Sequence, residues 1–325
     1  MDAPVRWGIL GASHFARHHM APAIHAARGA DLVAIATSDP VKAEGFWDFA
    51  PRMTMHATYD ALLADPSIDA VYIPLPNHLH VEWTLKALAA GKHVLCEKPI
   101  AMEEAAFDAL IAARDKTGLL AAEAYMIVHH PQFIRARQLV QSGAFGTLRH
   151  ADVSFSYNNE EDTDNIRNRP ETGGGALPDI GVYAFGSVRF VSGQEPDAVP
   201  YAKIRRENQV DVFNQLVAEF PTFTYSATIS MRLFPRQEVV FQGDTGMLKL
   251  TCPFNANVHD LAQLTLETAG GVVRTERFPT DNHYIHQVEN FCASVRKGVA
   301  YPGPLEFSRG TQRMIDMVFA AGGRG

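Results

Sequence analysis

The stretch "RWGILGASHFA", residues 6–16, holds an apolar run that stops on a glycine and passes at once into a helical pattern. "RWGILGA" reads as a strand and "SHFARHHMAPAIHAA" as the helix after it, the context that a dinucleotide fingerprint requires. Gly11 takes the tight turn, and Ala16 the third fingerprint position, where small size permits close packing. Ser13 replaces the middle glycine and still offers a backbone amide and a hydroxyl to a pyrophosphate at a helix N-terminus. His14 and Phe15 lie in the same turn and join Gly11 and Ser13 as candidate cofactor contacts. On these residues alone, an ordinary strand–helix turn reads equally well.

Outward from this turn, "ADLVAIATS", "IDAVYIPL", "KHVLCEK" and "LLAAEAYM" read as strands. Between them, "PVKAEGFWDFA", "HVEWTLKALAAG" and "EEAAFDALIAARDKTG" read as helices. Strands separated by helices imply crossover connections and a parallel sheet covered on both faces. After Tyr125 the texture changes. The helix "QFIRARQLVQSGAFG" is followed by longer runs of period-two alternation, from "TLRHADVSFSY" through "VDVFNQLVAEF", "FTYSATISMRL", "QEVVFQGD", "GMLKLT" and "AQLTLETAG" to "GVVRTERFP". These predict a mostly antiparallel open sheet with one solvated face. "NNEEDTDNIRNRPETGGG" is a long polar loop of the kind that is usually functional, and two helical patterns close the chain. The fold class is α/β.

The composition narrows the function. A chain of 325 residues with 46% hydrophobic and 20% charged residues suits two globular domains. A formal charge of -7 disfavours nonspecific binding to nucleic acid or an anionic membrane. Cys96, Cys252 and Cys292 lack metal-ligand spacing and point to a reducing compartment. "MDAPVRWGIL" has no basic region before a long apolar stretch, and no run reaches the length of a membrane span. A cytoplasmic protein is expected. The histidines, including the neighbouring His18 and His19, form no zinc pattern, because adjacent helix residues do not face each other.

Two strand tips carry chemistry. In "HVLCEKPIAM", residues 93–102, a buried run ends on Glu97, Lys98 and Pro99. Proline restricts the residue before it to extended geometry, so Lys98 is held at a strand tip, where open α/β sheets bind ligands. The second strand ends in Thr37 and Ser38, with Asp39 one position late and Lys42 a turn onward. Two hydroxyls and an ammonium suit a 2′-phosphate better than a ribose diol, which favours NADP, with NAD the alternative.

Several stretches together resemble the Gfo/Idh/MocA oxidoreductase family: "RWGILGAS", "DAVYIPLPNHLHVEWTLKALAAGKHVLCEKPIAM", "EAYM" followed by "HHPQF", and "GGGALPDIGVYAFGSVRFVSG". The likeness spans nearly the whole chain and is greatest to the branch of NADP-dependent aldose dehydrogenases, glucose–fructose oxidoreductase and dimeric dihydrodiol dehydrogenase. It implies a Rossmann NAD(P)-binding domain over residues 1–122. Residues 123–325 would form an α/β domain for substrate binding and oligomerisation, whose sheet makes a homodimer or a dimer of dimers. It also implies catalytic roles for Lys98, Asp179 and Tyr183. Without the resemblance, Asp179 as a helix cap and Tyr183 as a core residue is the commoner reading. Leu75, Pro76, Asn77, His80, Glu97, Arg167 and Tyr284 are implied around the cofactor.

The chemistry fits these residues. Oxidation of a sugar hydroxyl sends a hydride to nicotinamide and a proton to a base. A tyrosine is a poor base at neutral pH until a neighbouring cation stabilises its phenolate. Lys98 supplies that charge to Tyr183, Asp179 holds a neighbouring hydroxyl, and Glu97 orients Lys98 or contacts the nicotinamide side. Departures from the family pattern fall at Leu75–Pro76, at Ile166 before Arg167, and at Val128–His129; all three surround the substrate pocket. The readings in order are oxidation of an aldose to its lactone, reduction of a keto-sugar, and oxidation of a trans-dihydrodiol. A cofactor-binding regulator without catalysis is the alternative from another class.

Overall fold

Continuous apolar runs form the strands of the first half of the chain, because both faces of their sheet are covered. The computed structural model describes residues 3–256 and 258–323. In chain order the strands are β1 (Val5–Leu10), β2 (Ala30–Ala36), β3 (Thr54–His56), β4 (Ala70–Ile73), β5 (His93–Cys96), β6 (Ala121–Glu123), β7 (Leu148–Asn158), β8 (Ala198–Glu207), β9 (Val210–Glu219), β10 (Thr224–Ser230), β11 (Arg232–Gly243), β12 (Gly246–Thr251), β13 (Gln263–Thr268) and β14 (Val272–Arg277). The α-helices are α1 (Ala21–Ala26), α2 (Pro40–Ala43), α3 (Tyr59–Leu63), α4 (His80–Ala89), α5 (Ala106–Thr117), α6 (Pro131–Gln141), α7 (Val182–Ser192), α8 (His283–Lys297) and α9 (Leu305–Gly322).

The chain divides into two compact units, Met1–Met126 with His283–Ser308, and Ile127–Asn282 with Arg309–Gly325. A boundary read at residues 122/123 places 283–308 in the second domain; their contacts place them in the first unit. Phe291 of α8 packs on Trp7 of β1 with ring centroids 4.8 Å apart. Arg28 pairs with Glu289, and Arg114 with Glu306.

The first unit holds a six-stranded parallel sheet in the order β3-β2-β1-β4-β5-β6. Strand order reverses between β1 and β4, which is where such sheets open a crevice for a ligand. Leu62, Leu63, Ala87, Leu88, Phe107 and Leu110 from α3, α4 and α5 share one core with Val71, Ile73 and Val94 of the strands. The helix after β1, expected as one regular piece, has π geometry over Ala16–Met20 before α1 begins.

The second unit holds an eight-stranded sheet in the order β14-β13-β12-β11-β7-β10-β9-β8, antiparallel throughout except for the β7–β10 pair. Val153, Phe155, Leu216, Tyr225, Ala227, Val239 and Phe241 are buried. α7 is buried along nearly its whole length, and Tyr225 donates to the Ala184 carbonyl on that helix at 3.1 Å. Between these strand positions stand residues such as His150, Asp152, Gln215 and Ser226, the period-two pattern expected of a half-covered sheet. β3 and β8 carried no sequence signal. Both are edge strands, and β8 contains Pro200, which an edge tolerates.

Candidate active site

In the first unit, the site is built on the turn after β1. Gly11 has φ +105°, a conformation that side chains disfavour, and its amide donates to the Ala36 carbonyl at 2.9 Å. A Cβ there would lie 3.1 Å from Leu75 Cδ2 and 3.3 Å from the Tyr59 hydroxyl. The bare backbone leaves that room where the ends of β1 and β4 lie side by side. Ser13 Oγ accepts from the Ala16 amide at 3.1 Å, so the expected pyrophosphate hydroxyl also caps the helix. His14 is exposed and stacks on His18 at 3.9 Å. Phe15 meets Tyr284 of α8 edge-on at 5.7 Å, which brings together two of the expected cofactor residues from distant parts of the sequence.

At the tip of β2, Thr37 is buried and its hydroxyl accepts from the Asp39 amide at 3.1 Å. Asp39 caps α2, with Oδ1 accepting from the Val41 amide at 3.1 Å, and its other oxygen lies 4.0 Å from Lys42 Nζ. The carboxylate that could hold a ribose diol is therefore turned onto α2 and a cation. Ser38 and Lys42 remain exposed.

The tip of β5 is braced from several directions. The Tyr72 hydroxyl donates to Glu97 Oε1 at 2.6 Å, and the Lys98 amide to Glu97 Oε2 at 3.3 Å. Desolvation raises the Glu97 carboxyl above its ordinary value, opposed by the Tyr72 hydrogen bond and the charge of Lys98. Burial and the Glu97 charge together raise the Tyr284 phenol. Glu123 accepts from the Ile100 amide at 2.9 Å, and the Lys98–Pro99 peptide is cis.

Two further expected cofactor residues have protein partners of their own. His80, expected near the cofactor, is fully buried, with its ring nitrogens 2.7 Å from the Pro99 and Leu75 carbonyl oxygens. Its polar atoms are spent tying the Leu75–Pro76–Asn77 loop to the β5 tip, and desolvation lowers its pKa. Arg167, also expected at the cofactor, points its guanidinium at Asp179 with Nε 2.9 Å from Oδ2.

That ion pair organises the candidate residues of the second unit. Arg232 anchors the long loop to the sheet, donating to Asn159 and Asn168 side chains at 2.8 and 3.1 Å. The loop thereby presents Arg167. The Tyr157 hydroxyl donates to the same Asp179 oxygen at 2.7 Å. Asp179 lies in the π-turned segment Leu177–Gly181 that leads into α7, and Tyr183 is in the first turn of α7. Asp179 and Tyr183, four residues apart, are thus joined through a π turn, a feature that recurs at functional sites. The charges of Asp179, Tyr157 and Tyr183 all act on Arg167 and raise its pKa, Asp179 most. Tyr183 is buried against Phe155 and Phe254, with ring centroids 5.8 and 5.7 Å away.

Sequence reasoning missed Tyr72 and Tyr157. Tyr72 stands in the apolar strand "AVYI" and Tyr157 near the end of an alternating one, and a buried tyrosine hydroxyl needs a partner; that need was the available signal. Among the described residues, no cluster of His, Cys, Asp or Glu could hold a metal ion. No helix among them is long and apolar enough to cross a membrane.

Comparisons with known proteins agree with this geometry. The GFO/IDH/MocA family description "Oxidoreductase family, NAD-binding Rossmann fold" matches residues 5–125, and the GFO/IDH/MocA C-terminal domain matches residues 133–249. An uncharacterized oxidoreductase of Rhizobium meliloti is 36% identical over 99% of this chain and 98% of its own. The NADP(+)-dependent D-xylose 1-dehydrogenase 2 of Haloferax volcanii is 34% identical, covering 96% of both chains. A crystal structure of a 3-ketoreductase from Actinomadura kijaniata with NADP and TDP-benzene superposes with a TM-score of 0.89 at 28% identity, covering 98% of each chain.

Proposed function

The chain belongs to the GFO/IDH/MocA oxidoreductase family, and on that premise we propose an NADP-dependent sugar dehydrogenase that oxidises an aldose at its anomeric carbon to the lactone. The observation that carries the reading is Asp179, held by Arg167 and Tyr157 at the start of the helix that bears Tyr183. A carboxylate fixed by two donors keeps one geometry and can select one arrangement of sugar hydroxyls. Its likeness to a xylose 1-dehydrogenase supports aldose oxidation. Reduction of a keto-sugar is the second reading, favoured by the likeness to the 3-ketoreductase.

The backbone at Gly11 and Ser13 fits a pyrophosphate, since the glycine leaves open the space that a Cβ would fill against Leu75. Thr37, Ser38 and Lys42 would receive a 2′-phosphate, with Asp39 occupied as a cap. Bound NADP would supply the hydride acceptor. Tyr183 takes the proton of the reacting hydroxyl, and Lys98 is the cation that favours its phenolate. Asp179 orients the adjacent hydroxyl. Glu97, fixed by Tyr72, sets the backbone from which Lys98 projects.

We infer, too, a cytoplasmic protein that forms a homodimer or a dimer of dimers through the open sheet face. A panel of aldoses, keto-sugars, polyols and dihydrodiols with NADP(H) and NAD(H), followed by absorbance of the reduced cofactor, tests the activity. Oxidation of at least one aldose faster than any other class is the expected result. Faster reduction of keto-sugars selects the second reading, and no turnover with any substrate class overturns both.

A further inference from the structure

Asp211, the second residue of β9, is 3% exposed. Burying a carboxylate is costly unless its partners hold it. Here Oδ2 accepts from the Leu177 amide at 2.8 Å and from Asn214 Nδ2 at 2.7 Å. Leu177 opens the π-turned segment that contains Asp179, so the carboxylate satisfies an amide at a helix start, where N–H groups lack helical partners. The Asp179 amide in turn donates to the Gly175 carbonyl at 3.1 Å. Gly175 has φ +128°, and any Cβ placed there would collide with Asp211 Oδ1. The third glycine of "GGG" is therefore required both by its backbone angle and by the carboxylate packed beneath it.

We propose that Asp211 is a positioning residue for the reaction: its ionised carboxylate fixes the start of the helix bearing Asp179 and Tyr183, and its protonation loosens that start. The proposal rests on the reading of Asp179 and Tyr183 as the residues that handle substrate. Arg206, opposite Asp211 on β8, is the charged group acting on it. From the helix side comes the Leu177 amide, and from its own strand come the neutral Asn214 and its own backbone amide. Desolvation pushes the carboxyl up to about 7, against the pull of these donors and of Arg206. Its charge therefore changes in the neutral range.

The signs of the two consequences are opposite. A carboxyl whose folded pKa lies above its unfolded value binds its proton more tightly in the native state. Its contribution to stability therefore falls as pH rises from the unfolded value toward about 7. Helix placement, and with it turnover, improves over the upper part of the same rise. A purely structural residue would move stability and activity together.

Hydrogen exchange in the unmodified protein between pH 5.5 and 8.5 tests this directly. Protection of the Leu177 amide, corrected for the intrinsic rate, should rise several-fold through neutrality. In Asp211→Asn that step should vanish. Turnover at pH 8 should fall by roughly tenfold or more, as expected for a displaced catalytic group, while NADP affinity stays within twofold. A flat exchange profile in the unmodified protein overturns the proposal, as does an Asp211→Asn enzyme that keeps the step in turnover near pH 7. If the variant does not fold, the unmodified protein's profile decides alone. Normal turnover in Tyr183→Phe would remove the catalytic reading instead, and it would leave the exchange result untouched.

Discussion

Replacing Tyr157 with phenylalanine removes one oxygen and keeps the ring, so it isolates the 2.7 Å hydrogen bond to Asp179 Oδ2. A hydrogen bond to a charged group contributes about 1.5–3 kcal/mol. The Asp179 side chain keeps Arg167 at 2.9 Å and retains 11% of its exposure, so part of the loss is recovered. The lower part of that range applies, about 1.5–2 kcal/mol, which corresponds to a roughly 10- to 30-fold loss in kcat/KM. The assay is the initial rate of cofactor reduction with the best aldose of the panel, together with the NADP dissociation constant. Affinity for NADP should stay within twofold, since Tyr157 acts through a carboxylate on the substrate side. In an Asp179→Asn background the effect should shrink to under about twofold, because the acceptor's charge is gone. A Tyr157→Phe enzyme within twofold of the unmodified one refutes the reasoning, and so does an undiminished effect in the double variant.

Tyr183→Phe should lower kcat by about a hundredfold or more with little change in NADP binding, the scale of general acid–base catalysis; near-normal turnover would exclude tyrosine as the base. Lys98→Met should cost at least as much and move the pH midpoint of any residual activity upward, and the two losses should not add in the double variant. Lys42→Ala should weaken NADP while sparing NAD, as measured by titration of each cofactor, and equal affinity of the unmodified protein for both would discard the phosphate reading. Arg6 and Arg296 hold the Asp69 carboxyl down at about 2, so its contribution is present above the ordinary carboxylate range and disappears as pH falls toward that value. Acid unfolding of Asp69→Asn should lose that part of the pH dependence; an unchanged acid limb would remove Asp69 from the account. Phe234, 89% exposed, joins Tyr201 and Val217 as large exposed residues of the second sheet, and Phe234→Glu should shift the assembly toward monomer in light scattering. A protein already monomeric at working concentration would sink the dimer.

The parallel sheet was legible because buried strands write themselves as apolar runs, and "AVYIPL" and "HVLC" admit no other role. The π turns were not, since a single extra residue in a helix leaves the apolar spacing almost intact. β8 was hidden by Pro200 and by the charges of "AKIRRE", which suit an edge. In the site, Asp179 and Tyr183 stood out through the family resemblance of the segment that carries them, since by themselves they read as a helix cap and a core residue. The partners that set them did not. Tyr157 ends a strand, Arg167 sits in a loop placed by Arg232, and Asp211 is far along the chain, so each contact depends on tertiary packing. At His80 the sequence position suggested a place near the cofactor, while the two carbonyl oxygens that its ring nitrogens meet, those of Leu75 and Pro99, depend on the packing of two strand tips.

The first unit is closed by a segment made more than 150 residues after the rest of it, since His283–Ser308 joins Met1–Met126. During synthesis the nucleotide-binding half therefore waits, with Trp7 lacking Phe291 and Arg114 lacking Glu306, until residues 283–308 have been made. A message truncated anywhere before codon 283 would yield a sheet with an uncovered apolar face, prone to aggregate. Cofactor competence thus depends on a segment remote in sequence from the fingerprint turn.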